Sequence, residues 1–308
     1  MTQQAVKPEN MKNEKPHFLR SPGEKALEIV IIVFLTIVAL SMLFPFLHII
    51  AKSCSSEIAV NSGKVIFWPV EFQSGTFKYV FRQSQFWSSF KITLFITLVG
   101  TTGSMIVTCL TAYPLSKPWL YGRKWLLLFF VFTMLFSGGM VPNYLLMRSL
   151  GLLNNVWVLI LPALLSVYNM ILLKNFFEEI PEALEESAQL DGASNLKILV
   201  SIILPMSLPA IATIGLFYAV SYWDSYMSGM MYITDPKLKP LQQYLYDLVT
   251  STINIDENLD MDMAENAALT TEAIRSATIV LSCVPIMCVY PFLQKYFVQG
   301  LRVGSVKG

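Results

Sequence analysis

The 308-residue chain is 54% apolar and only 14% charged, where a soluble domain carries about 25% charge, and its mean hydropathy is +0.54. So few charges cannot cover the surface of a soluble fold, and most of the chain needs lipid as its solvent. A net charge of +1 offers no long-range field for nucleic acid or for an acidic partner.

Residue types that carry chemistry are scarce. Cys54, Cys109, Cys283 and Cys288 form no CxxC pair, so neither a disulfide framework nor a zinc site is expected. His17 and His48 are too few and too far apart for a histidine metal site or a catalytic cluster. The composition points to a polytopic membrane protein with no catalytic residues of its own.

In chain order, residues 1–25 form a polar tail that enters the membrane after Ser21-Pro22-Gly23. Six runs then stay free of charge for the length of a bilayer-crossing helix. They are Ile29–Leu47, Ile92–Ser116, Trp125–Met147, Gly151–Leu173, Ile198–Trp223 and Ser276–Gln294. Backbone polar groups cannot stay unpaired in lipid, and the runs do not alternate as barrel strands would, so helices are predicted. The first run is too long for a signal-peptide core, and no A-x-A site follows, so it reads as an uncleaved anchor. In the third run Ser137-Gly138-Gly139 and Pro142 predict a helix end, with Tyr144–Asn155 as a short re-entrant or surface turn.

Lys and Arg set the orientation. The short loop Lys117–Lys124 holds Lys117, Arg123 and Lys124, which places it, and with it both termini, in the cytoplasm. The external loop 51–91 carries Phe67, Trp68, Phe77, Tyr79, Phe81, Phe86 and Trp87, an interfacial aromatic belt. The second external stretch, 224–275, is acidic at Asp256–Glu265. It lacks the spacing and central glycine of an EF-hand and reads as a solvated face. The resulting organisation is a tail over residues 1–25, a six-helix membrane domain over 26–297 and a tail over 298–308.

The cytoplasmic segment 178–201 breaks the apolar pattern. Pro181 suits a first helical position, and Glu182 and Glu185 favour the helix N-terminus. Gly192 supplies a left-handed stop, and Ser194 or Asn195 can cap a second helix. A helix, a glycine corner and a second helix are predicted, an L-shaped projection fit for a partner's groove. Its small residues Ser187, Ala188, Gly192 and Ala193 permit close approach.

Within it, Glu186-Ser187-Ala188 is followed by three residues, Gly192, nine residues, Ile202, one residue and Leu204-Pro205. This spacing resembles the EAA signature of the permeases of binding-protein-dependent ABC importers, with Ser187 in place of the first alanine. The tail Gln299–Gly308 resembles MalG-type sugar permeases, and the chain is similar to the LplC/YtcP branch, linked to complex oligosaccharides. The resemblance implies the type I importer (MetI-like) permease fold, with Glu185, Glu186, Ser187, Ala188, Asp191, Gly192, Ala193, Leu204 and Pro205 coupling it to an ATPase. It also implies a second, homologous permease, an ATPase dimer carrying ATP and Mg, an extracellular solute-binding protein and the plasma membrane of a bacterium. No G-x-x-x-x-G-K-[ST] nucleotide loop is present, so energy must come from another chain.

For the sugar path, Tyr218, Tyr222, Trp223 and Asp224 at the end of the fifth run combine rings with hydroxyl and carboxylate groups. An aromatic belt explains Tyr222 and Trp223 equally well. Asn169 in the fourth run is a further candidate, because a mid-membrane amide needs a partner, and a neighbouring helix could supply it. A secondary transporter would show inverted repeats and midplane charges, and a membrane enzyme would cluster catalytic groups at one face. Neither pattern is present. A permease for a non-sugar solute stays open, because the EAA segment reports coupling and not cargo.

Overall fold

The computed structural model describes residues 22–250 and 271–304, and the regular elements among them are all helical. The acidic stretch Asp256–Glu265, His17, most of the N-terminal tail and residues 305–308 lie outside the described residues. The chain divides after His48 into two units. The first is carried by α1 (Pro22–Ser53), a single 32-residue helix that contains Pro45. At 1.5 Å per residue it is about 48 Å long, more than a ~30 Å hydrocarbon core requires.

In the second unit, α2 (Glu57–Asn61) and α3 (Gly75–Arg82) precede the longest helix of its core, α4 (Ser84–Ser116). Along α4 the buried residues Gly100, Ser104, Thr108 and Ala112 recur every fourth position. A stripe of small side chains lets neighbouring membrane helices approach closely. α4 is the packing axis of the unit, against which α8 (Val167–Glu178) and α12 (Leu208–Trp223) lie.

Three of the expected spans are bent. α5 (Arg123–Leu135) and α6 (Met140–Ser149) meet at 107°. The break falls at Ser137-Gly138-Gly139, as the sequence predicts, and Gly139 has φ +91°. Tyr144–Ser149 is helical where a turn was expected, because Pro142 sits in the first turn of α6, where its missing N–H costs nothing. The turn is confined to the residues that follow. There Asn154 adopts φ +55°, and its Oδ1 accepts from the backbone of Thr234 and Asp235 at 2.6 and 3.0 Å.

The fourth run holds α7 (Trp157–Ile160), a 3₁₀ turn at Leu161–Ala163 and α8, bent by 47°. α9 (Glu182–Leu190) and α10 (Asn195–Ile198) form the projecting segment. A π-helical stretch, Leu199–Ile203, leads into α11 (Leu204–Met206), which meets α12 at 88°. The bend in the fifth run is centred on Ser207, between Pro205 and Pro209. Each proline lacks an N–H, and its ring crowds the carbonyl four residues back. The wide turns before Pro205 and the corner before Pro209 relieve that crowding.

α13 (Tyr226–Tyr232) and α14 (Leu241–Thr250) give helical order to a stretch expected to be a solvated loop. α15 (Thr271–Gly304) covers the sixth run and continues through Gly304, past the expected start of the tail at 298. It packs against α12, α3 and α14.

A Cβ at Gly100 would stand 2.7 Å from the Tyr222 ring. Gly100→Ala should therefore destabilise the fold by about 1–3 kcal/mol through overpacking. Thermal unfolding in detergent should show a lowered Tm, partly recovered by Gly100→Ala/Tyr222→Leu. An unchanged Tm for Gly100→Ala would contradict this packing.

Candidate functional site

The projecting segment is built by local chemistry. Pro181 precedes the helix as its N-cap, with ψ 127°, one position earlier than the sequence suggests. The residue before a proline is pushed out of helical geometry, so Ile180-Pro181 separates α9 from α8. At the far end Gly192 has φ +78°, and its N–H donates to the Gln189 carbonyl at 3.0 Å. The Ala193 N–H donates to the Ala188 carbonyl at 2.9 Å. This pair of bonds is the Schellman stop, in which a glycine takes the left-handed position. Ser194 then caps α10, its Oγ accepting from the Lys197 N–H at 3.4 Å. A Cβ at Gly192 would meet nothing within 4 Å, so within this chain glycine is required for its φ and not for space.

The coupling candidates fall into two groups. Glu186, Ser187, Asp191 and Gly192 are exposed. They share the surface with Leu190, 89% exposed, and Leu196, 61% exposed. Ala188 and Ala193 instead pack on the core that holds Phe177 and Ile198, and Leu204 joins its edge. Glu185 is also turned inward, at 6% exposure. It forms an ion pair with Lys117, itself 5% exposed, and the Tyr113 hydroxyl donates to it at 3.3 Å. Glu185 therefore faces the chain's own interior. Removing one member of such a buried pair costs about 3–5 kcal/mol, whereas replacing both with apolar residues is often tolerated.

A second, more open ion-pair group lies alongside. Glu178 bridges Arg123 and Lys174, the latter at 2.8 Å, and Arg123 Nε also donates to the Leu115 carbonyl at 2.8 Å. Partial exposure limits such a pair to about 0–1 kcal/mol. Between the two groups lies a cavity of about 340 Å³ lined by Ser116, Lys117, Pro118, Arg123, Phe177, Glu178, Ile180 and Glu182. The loop 117–123 and the segment 178–185 are thus held on one face of the molecule.

The five candidates for the sugar path separate in space. Tyr218 and Tyr222 are buried, at 3% exposure each, and their hydroxyls serve the break in the fourth span. Tyr218 Oη accepts from the Ser166 N–H at 2.9 Å and lies 2.7 Å from Thr108 Oγ1. Tyr222 Oη lies 2.9 Å from Ser104 Oγ and 3.3 Å from the Ile160 carbonyl. Ser104 Oγ also lies 3.4 Å from the Ala163 carbonyl. These hydroxyls satisfy backbone groups that the break at Leu161–Ser166 removes from helical bonding. Asn169 is buried in the first turn of α8, close to this cluster. Trp223 packs separately against Phe90 and Leu241, and its indole N–H has no partner among the described residues. Asp224 is exposed at the end of α12. Sequence reasoning missed Ser104, Thr108 and Lys117. The four-residue repeat Gly100, Ser104, Thr108, Ala112 was the available signal for the first two.

Comparison with known proteins places this architecture. Residues 120–303 match the family described as binding-protein-dependent transport system inner membrane component. The polygalacturonan/rhamnogalacturonan transport system permease protein YtcP of Bacillus subtilis is 43% identical over 89% of this chain and 96% of its own. Protein LplC of the same organism is 42% identical over 90% of this chain and 93% of its own. A chain in the crystal structure of a bacterial ABC transporter involved in the import of the acidic polysaccharide alginate superposes with a TM-score of 0.85. It is 37% identical, over 90% of this chain and 99% of that one. The chain therefore belongs to the binding-protein-dependent inner membrane components, the permease subunits of ABC importers whose ATPases are separate chains.

Proposed function

We propose that this permease forms, with a second homologous permease, the path by which an oligosaccharide enters a bacterial cell. An extracellular solute-binding protein delivers the sugar, and an ATPase dimer that binds ATP and Mg docks at the exposed corner of α9 and α10. In this reading the chain crosses the plasma membrane six times, with both termini in the cytoplasm; two long apolar helices and three bent pairs supply five of the spans, and α15 is the sixth. The ion pairs support this orientation, since they join the cation-rich loop 117–123 to the segment 178–185. Lys and Arg collect in short cytoplasmic loops. The sugar reading is supported by the relatives, whose names refer to polygalacturonan, rhamnogalacturonan and alginate. The observation that carries the coupling reading is the stopped helix itself. Exposed Glu186, Ser187, Leu190 and Asp191 sit on a corner fixed by Gly192.

The corner is tested by two substitutions at Gly192. Valine is strained at positive φ and should cost more than about 1 kcal/mol, whereas asparagine tolerates the left-handed region. Gly192→Val should insert in the membrane normally yet co-purify with less ATPase and import less labelled sugar, while Gly192→Asn stays near the parent. Equal ATPase recovery and uptake in both variants would overturn the docking role.

For the path, Asn169 and Asp224 remain as sugar contacts in this reading, because the Tyr218 and Tyr222 hydroxyls are committed to the break at Leu161–Ser166 and Trp223 packs elsewhere. Asn169→Ala and Asp224→Ala should reduce uptake or shift sugar preference in an assembled importer. Tyr218→Phe should lower thermal stability by about 1 kcal/mol, the worth of one buried hydrogen bond, without changing preference. Parent-like uptake and preference in both alanine variants would remove these residues from the path.

A further inference from the structure

α9 is joined to the bundle by two corners, Ile180-Pro181 before it and Gly192 after it. Neither corner transmits torque well, because each interrupts the helical hydrogen-bond ladder. Most of the side chains of α9 are exposed, and Glu185 is its one buried residue. Glu185 is also the residue that crosses to another helix with a charge. Its partner Lys117 is the residue that closes the 33-residue α4. Tyr113, one turn earlier on α4, completes the arrangement. Its hydroxyl donates to Glu185 at 3.3 Å, and Lys117 Nζ lies 5.0 Å from the centre of its ring. The other end of this chain of contacts is equally specific. Ser104 and Thr108 on α4 meet Tyr222 and Tyr218 on α12, and through them the break in the fourth span.

We propose that the buried Lys117–Glu185 pair is the joint through which α9 and α4 move as one body. Lys117 and Glu185 are then positioning residues for coupling and not contacts to the ATPase. Movement imposed on α9 from the cytoplasmic side is delivered to the base of α4. α4 is helical throughout, with one ladder bond removed at Pro114, and it carries the movement to the hydroxyl contacts with α12. Such coupling needs a contiguous physical connection between sites, and this pair supplies the step that the two corners leave open. The more open Arg123–Glu178 pair lies beside it and joins α5 to α8. The inference rests on the docking reading above, but it concerns a different event, since docking uses the exposed face of α9 and this joint uses the buried one.

The test uses the complete importer, with both permeases, the ATPase and the binding protein, reconstituted in vesicles. Glu185→Gln and Lys117→Met should retain ATPase co-purification and continuing ATP hydrolysis. Sugar imported per ATP should fall about 10-fold, within the usual range of a coupling free energy. The exchanged pair Lys117→Glu/Glu185→Lys should recover most of that ratio, which a merely structural loss would not. If either single variant fails to reach the membrane, Lys117→Met/Glu185→Met replaces it, because a buried pair exchanged for apolar residues keeps its packing. That double variant should assemble and remain uncoupled. A parent-like sugar-to-ATP ratio in the variants that assemble overturns the proposal, as does an exchanged pair no better than the singles. Loss of ATPase co-purification in the singles also overturns it, since the pair would then shape the docking surface. Failure of the docking reading shows separately at Gly192.

Discussion

In hydrocarbon an unpaired backbone N–H or carbonyl has no water to turn to, and each costs several kcal/mol. A straight helix avoids the problem by pairing every group within itself. The second unit of this permease bends the helices of its fourth apolar run by 47° and those of its fifth by 88°, and each bend releases backbone groups that must be paired elsewhere. Around the fourth-span break the partners are hydroxyls from two other helices. Tyr218 receives the Ser166 N–H, and Tyr222 and Ser104 lie against the Ile160 and Ala163 carbonyls. In the fifth span the prolines remove donors at the outset, and Ser207 N–H contacts both the Ile203 and Leu204 carbonyls, at 3.0 and 3.1 Å. The arrangement of α4, α8 and α12 follows from this requirement. Small residues on α4 admit the tyrosines, and the tyrosines make the break tolerable.

The same constraint shapes the division between rigid and adjustable parts. α4 is helical over 33 residues, interrupted in its hydrogen-bond ladder only near its end by Pro114, and has its small stripe buried, so it serves as the strut. The segments around it are articulated at Gly139, Pro181, Gly192 and Ser207. An importer driven by a separate ATPase needs both kinds of element: joints that let spans reorient, and a strut that carries displacement between them. The buried charge pair at the base of α4 and the hydroxyl contacts partway along it tie the strut to its neighbours at two levels. Neither connection is a strong source of net stability, since buried ion pairs roughly break even with apolar packing. Their value lies in fixing which surfaces move together.

How much of this was legible in the sequence depends on how far each partner lies along the chain. The corner at Gly192 is made by residues within five positions of one another, and its glycine, its serine cap and its proline entry can each be read locally. The six apolar runs were equally legible, because hydropathy is a property of the run itself. Direction within a run was not. Ser137-Gly138-Gly139 announced one bend and the prolines another, but the 47° bend at Leu161–Ser166 leaves only Pro162 and Ser166 as signals. Glu185 illustrates the limit most clearly. On α9 it looks like one more solvated carboxylate of an acidic helix, and its partner is 68 residues away. Tyr218 and Tyr222 read as sugar-stacking or belt residues because Thr108 and Ser104 lie 110 and 118 residues before them. A polar side chain in an apolar run signals that a partner exists, and the fold determines which one.

The docking proposed for the exposed face of α9 can be probed directly by photo-cross-linking in the assembled importer. A photoreactive residue placed at Leu190, 89% exposed, should capture an ATPase subunit on illumination. The same residue placed at Leu128, 55% exposed on α5, should capture none. The account predicts an ATPase adduct from Leu190 alone. Adducts of equal yield from both positions, or none from Leu190 in an importer that transports sugar, would contradict it.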